Sequence, residues 1–341
     1  MSDDYLWDKS GEPDAEIERL EKTLAPLAHD GRELRMPEAP EVIAMPERPA
    51  FREPRVLLAA ACLLIVGVLA LWTSSRPEGP AWQVASLEGT PRIGFWRFGE
   101  RARLGEGQIL VTDARSRARV DVGDIGNVEL EPGSRLRLVK AGDQEHRMAL
   151  ERGALMAYIS APPRWFTVET PAANAVDLGC SYRLEVGADE RSIVTVQTGW
   201  VSFQREGHEA FIPAGARCVT LKGRDPGTPH YEDASPRLIA GLETIDGGPF
   251  SLGMREALTA VLESARPEDA LTLWHLLARL RGDDRGRVYD RLAELAPPPA
   301  GVTRDAVLAG DPAALDLYWN SLGLGNVEWW RIWAQSPPGR S

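Results

Sequence analysis

Histidine and cysteine are scarce in this 341-residue chain, with five of the first and three of the second. His29, His146, His208, His230 and His275 form no HExxH pair, and none is spaced with two cysteines as a zinc site requires. No P-loop, GxGxxG or GxSxG signature occurs, which removes the common phosphate-cradling and serine-nucleophile sites. Asp121 and Asp124 fit the charged face of a strand, and Asp283-Asp284 fits the start of a helix. These residues support no enzyme, cofactor or metal. Excess positive charge is also missing. The net charge is −11, and no basic cluster interleaves with aromatics, which excludes a nucleic-acid surface.

What the chain does have is one uncharged run, Val56 to Trp72 (VLLAAACLLIVGVLALW). At ~1.5 Å per residue it extends ~25 Å as a helix, the short end of a bilayer span. A buried core helix would show a polar stripe, and this run has none. A secretory leader would begin near residue 1, not after some fifty polar residues. Pro54 precedes the run, Pro77 and Pro80 follow it, and Trp72 suits an interfacial anchor. Arg48, Arg52 and Arg55 lie before it and only Arg76 lies close behind. That bias predicts a single transmembrane helix with the N-terminus cytoplasmic and residues 73–341 outside.

Residues 1–35 are acidic and contain one helical pattern. Ile17, Leu20, Leu24 and Leu27 share a face, with Trp7 upstream and Pro13 suited to a first turn. These five apolar residues, Trp7 included, are the candidate partner-binding set. So short a helix is marginal alone, so it either docks into a partner's groove or frays as a solvated tail. Residues 36–55 hold Pro37, Pro40, Pro46, Pro49 and Pro54 and read as an extended tether.

From 82 to 221 the period changes to two. Ala118, Val120 and Val122 alternate with Arg117, Arg119 and Asp121, and Leu136 and Leu138 with Arg135 and Arg137. Pro132-Gly133 between two such runs is type II turn chemistry. Met148–Leu150 and Leu155–Ile159 read as separate strands with Gly153 between them. Glycine-containing breaks recur about every ten residues, which points to an all-β sandwich, jelly roll or solenoid. Cys62 falls in the apolar run. Cys180 and Cys218 lie in the outer part, where an oxidising space would allow one disulfide between them; two buried free thiols are the other reading.

Residues 222–250, rich in Gly and Pro, read as a connector. Residues 251–335 return to helical spacing. Met254 to Leu262, Leu271 to Leu280, Val288 to Leu295, and a helix capped by Asp311-Pro312 predict an α-helical bundle. Trp329-Trp330-Arg331-Ile332-Trp333 is a candidate cover for it.

The β-region resembles the FecR domain, the periplasmic part of inner-membrane regulators of iron-uptake sigma factors. The resemblance lies in Val120-Asp121-Val122, then Leu130 through Pro132-Gly133-Ser134 to Leu136, then Gly153-Ala154-Leu155. It continues through Phe166-Thr167-Val168-Glu169-Thr170-Pro171, Gly179-Cys180 to Val186, and Gly199-Trp200-Val201. The start of the chain, with Trp7, Ser10-Gly11 and the following helix, is similar to the family's cytoplasmic segment, though shorter. The C-terminal helices do not match the family's transducer-contacting region, so ferric-citrate signalling is not implied.

The resemblance implies a bitopic inner-membrane signalling regulator. Its short cytoplasmic stub would meet a sigma factor or transcription regulator, one helix would meet lipid, and its periplasmic body would meet an envelope protein. The alternative is a membrane-tethered envelope scaffold with no transcriptional role. The expected fold class is mixed: one transmembrane helix, an all-β FecR-like domain and a C-terminal helical bundle.

Overall fold

The computed structural model describes residues 15–27, 80–248 and 253–325. The chain divides into two compact units, Met1–Val66 and Gly67–Ser341. In the first, the described part is helix α1, Ala15–Leu24, continued by a 3-10 turn over Ala25–Leu27. The expected span at 56–72, the tether at 36–55 and the tryptophan-rich tail at 329–333 lie outside the described residues. Among the described residues no helix is long and apolar enough to cross a membrane.

The described residues of the second unit begin with seventeen strands. They are β1 (Ala81–Glu88), β2 (Arg92–Ile93), β3 (Trp96–Arg97), β4 (Arg101–Gly105), β5 (Ile109–Val111), β6 (Arg117–Val122), β7 (Gly126–Leu130), β8 (Arg135–Ala141) and β9 (His146–Ile159). There follow β10 (Phe166–Glu169), β11 (Asn174–Asp177), β12 (Ser181–Val186), β13 (Ser192–Thr198), β14 (Trp200–Arg205), β15 (His208–Pro213), β16 (Ala216–Thr220) and β17 (His230–Tyr231). One sheet is ordered β4-β1-β6-β7-β9-β12-β13-β16-β17 and is antiparallel throughout. The other is ordered β3-β2-β5-β8-β9-β10-β11-β14-β15, antiparallel except between β9 and β10.

Strand β9 belongs to both sheets. Residues 146–152 pair with β8, and residues 153–159 pair with β7 and β12. The two strands expected on either side of Gly153 are therefore one. Gly153 bends it rather than breaking it, with φ +88° and Ser134 packed where a side chain would stand. Ser134 Oγ donates to the Ala154 carbonyl at 3.1 Å and accepts from the Ala154 N–H at 2.9 Å, so the bend is pinned from inside.

Beyond β9 the hairpins alternate between sheets: β10–β11, β12–β13 and then β14–β15. Each extends its own sheet in the same direction. Both sheets feed one core, Val120, Leu130, Leu155 and Tyr182 from the first, Leu136, Met148, Phe166 and Phe203 from the second. The β-region is thus a two-layer sandwich through which the chain advances in solenoid fashion.

The expected alternation is present. In β6 Ala118, Val120 and Val122 are buried while Arg119 and Asp121 face out, and Arg119 pairs across the ladder with Glu129 at 2.7 Å. Gly133 takes φ +75°, the positive value its turn requires.

Among the described residues six α-helices follow: α2 (Pro236–Asp246), α3 (Met254–Ser264), α4 (Ala270–Arg279), α5 (Gly282–Leu295), α6 (Arg304–Ala309) and α7 (Pro312–Ser321). Within 222–250, read above as a connector, the structure places β17 and α2. Ser235 caps α2 by accepting from the Leu238 N–H, and Pro236 occupies its first turn. The proline that suggested a break is the helix start. Asp311 caps α7 as its sequence predicts. Leu242, Leu258, Val261, Leu276, Val288 and Leu292 make the helical core. Tyr318 joins it and donates its hydroxyl to the Ala296 carbonyl at 2.7 Å.

Candidate functional site

Helix α1 carries Ile17, Leu20 and Leu24 of the partner-binding set read from sequence, and the 3-10 turn after it carries Leu27; Trp7 lies outside the described residues. Glu16 and Glu18 sit in the first turn of α1 and Lys22 in its last, complementing the helix dipole. None of its residues is buried. Leu20, Leu24 and Leu27 are 59%, 55% and 80% exposed, and Ile17 is half-buried. The face therefore presents three leucines to solvent. Burying one contributes about 1–2 kcal/mol, before the cost of ordering the helix.

Of the two readings of Cys180 and Cys218, the structure has the buried free thiols and not the disulfide. Strand β13 runs between the strands that carry them: Cys218 stands opposite Val194, while Cys180 precedes Ser181, which stands opposite Thr198. Two strand spacings and about five residues of rise separate them by ~19 Å, against the ~7 Å limit between bridged Cα atoms. Each thiol has its own acceptor instead. Cys180 donates to the Asp177 carboxylate, and Cys218 to the Gly227 carbonyl at 3.3 Å. Burial pushes both thiols up, Cys218 to about 12, so neither is a reactive thiolate.

Asp177 itself was not singled out by the sequence reading. It ends β11, buried, and burial raises its carboxyl to about 7 against the lowering effect of hydrogen bonds from the Cys180 thiol and the Gly179 N–H. Its neighbour Tyr182 is fully buried. Only the three-dimensional course of β11 puts this carboxyl inside; in sequence, Asp177 before Leu178-Gly179 reads as a turn.

A third feature joins the helices to the sandwich. His275 on α4 accepts the Phe211 N–H of β15 at its Nε2, 3.1 Å away. Its Nδ1 must then carry the proton, which it donates to the Leu271 carbonyl at 2.8 Å. Burial lowers its pKa to about 4, so the ring stays neutral and works as a fixed two-ended connector. Trp319 of α7 packs edge-on against Trp274 at 4.7 Å and lies near Trp200 and Phe211 at 6.1 and 6.0 Å. Trp319 and Leu271 belong to the core of the sandwich, not to that of the helices. Thr272 donates to the Pro229 carbonyl, and Arg279 pairs with Asp246 at 2.9 Å. This joint binds two parts of one body and presents no nucleophile. Among the described residues no three His, Cys, Asp or Glu side chains gather as a metal site.

Residues 108–202 match the family model described as FecR protein. This stretch is similar to the FecR family. It runs from the start of β5 into β14 and holds β9, the bend at Gly153, Asp177 and Cys180. Two crystal structures of a "putative anti-sigma factor" from Parabacteroides distasonis ATCC 8503, at 1.65 Å and 2.50 Å, are similar at 18% identity and a TM-score of 0.33. The matches cover 40% and 45% of this chain and 65% and 73% of those chains, a likeness too distant to fix fold or function. No curated protein matches the chain.

Proposed function

We propose that the chain is a single-pass regulator of the FecR kind, non-catalytic, that controls a sigma factor or transcription regulator in response to an envelope signal. The observation that carries this reading is the FecR match over residues 108–202. The exposed leucine face of α1 supports a cytoplasmic docking role. The uncharged run at 56–72 supports an inner-membrane span, with the sandwich and helices in the periplasm reading an envelope protein. Signalling across one helix needs an outer ligand that binds two states of the body unequally, and cleavage or dimerisation then carries the change inward.

The test uses the full chain in its native membrane, with Leu20→Asp and Leu24→Asp together. Cross-linking of the unmodified chain should recover a sigma factor or transcription regulator, and the double variant should lose at least ten-fold of that recovery while the body keeps its melting temperature. Recovery of neither class of partner, or capture indifferent to the double substitution, would refute the reading. Unchanged transcripts with an altered envelope would favour a scaffold.

A further inference from the structure

The β2–β3 hairpin displays two large aromatics to solvent at the end of a sandwich that hides the rest of its core. Phe95 is 97% and Trp96 66% exposed. Gly94, with φ +57°, turns the chain so that both stand outward. Beneath them Ile93, Phe98 and Ile109 help line an apolar recess of about 420 Å³. Such a patch marks a contact surface. Its surroundings are basic in an acidic chain: residues 92–103 hold Arg92, Arg97, Arg101 and Arg103 against a single Glu100, whereas the whole chain carries −11. Arg101 and Arg103 are exposed on β4 and have no acidic partner among the described residues.

We infer that this hairpin docks on the anionic lipid surface of the membrane the chain crosses; the inference rests on the span proposed at 56–72. The tether decides between lipid and a distant partner. Residues 73–80 reach at most ~27 Å fully extended, whereas a body of this size is ~45 Å across. With a span at 56–72, Ala81 therefore lies within that reach of the bilayer, nearer than the far side of the body. The end of the body that holds Ala81 carries the hairpin. Ala81 stands opposite Gly105, two residues from Gly107 on the recess, and the Gly94 N–H bonds to the Ile109 carbonyl at 2.9 Å. Aromatic rings at headgroup depth flanked by arginines suit an interface of acyl chain and phosphate.

The experiment places an environment-sensitive dye at F95C in full-length C62A protein, since Cys180 and Cys218 are buried. The chain is reconstituted in vesicles of phosphatidylcholine alone or with a third phosphatidylglycerol. With phosphatidylglycerol the emission should shift to the blue and be quenched at least two-fold by brominated acyl chains. R101E/R103E should return it to its aqueous value. Aqueous emission in both vesicle types overturns the inference, as does a shift that appears only when an envelope protein is added. Carbonate washing of the same vesicles reads the span separately. A chain that washes out refutes the span, and its dye, re-examined on intact phosphatidylglycerol vesicles, still decides the hairpin.

Discussion

Gly153 and Gly133 give a matched pair of alanine substitutions that separates backbone strain from packing. Both residues have positive φ, +88° and +75°. At Gly133 an added Cβ meets nothing within 4 Å, whereas at Gly153 it would lie 2.2 Å from Ser134 Oγ and 2.5 Å from Ser134 Cα. Gly133→Ala therefore costs only the left-handed penalty, about 1–2 kcal/mol. Gly153→Ala carries the same penalty and must also push aside Ser134. That strains two buried hydrogen bonds to Ala154, about 1 kcal/mol each, and overpacks the bend by about 1–3 kcal/mol. The total is about 4 kcal/mol or more. Thermal unfolding of the detergent-solubilised full chain, followed by near-ultraviolet circular dichroism, should show Gly133→Ala down by a few degrees and Gly153→Ala by roughly 10 °C or more. Because the backbone Cα of Ser134 is itself too close, Ser134→Gly should not rescue Gly153→Ala. Equal melting of the two alanine variants, or full rescue by Ser134→Gly, would refute the view that the bend of β9 depends on this contact.

Trp319→Ala should cost about 3–5 kcal/mol, because it empties a site packed by Trp274, Trp200 and Phe211; hydrogen exchange should speed up in 236–325 before β6–β9. Asp177 holds its proton in the folded state to about pH 7 but releases it near 3.8 when unfolded. Its contribution is therefore greatest below about pH 4 and is lost as the pH rises toward 7. Urea midpoints of Asp177→Asn, measured against the native chain, should remove that downward slope. Thiol titration of the denatured, unreduced chain should count three free cysteines, Cys62, Cys180 and Cys218, and a count of one would restore the disulfide.

The strands were legible where one face is wet. Arg117 to Val122 alternates so regularly that burial follows parity, and the Pro132-Gly133 turn announces itself. Strand β9 was not legible as one element, because a glycine that bends a strand is spelled like one that ends it; the difference is Ser134, nineteen positions away. Helix α2 hid behind Pro236, which opens a helix as readily as it interrupts one. Whether the cysteines pair was not legible for a related reason: parity tells which face a thiol takes, but not that β13 intervenes. The leucine face of α1 was plain from its spacing. The joint at His275 and Trp319 was not, since it brings together β14, β15, α4 and α7 from distant parts of the chain.

Trp319 has a consequence for biogenesis. It completes a hydrophobic interior whose earliest contributor among the described residues is Trp82, 237 positions upstream. A ribosome must therefore release residue 319 before Trp200 and Phe211 find their lid. Until then, nascent chains carry an uncovered aromatic seam, and messages truncated ahead of codon 319 should yield products that chaperones retain and proteases clear.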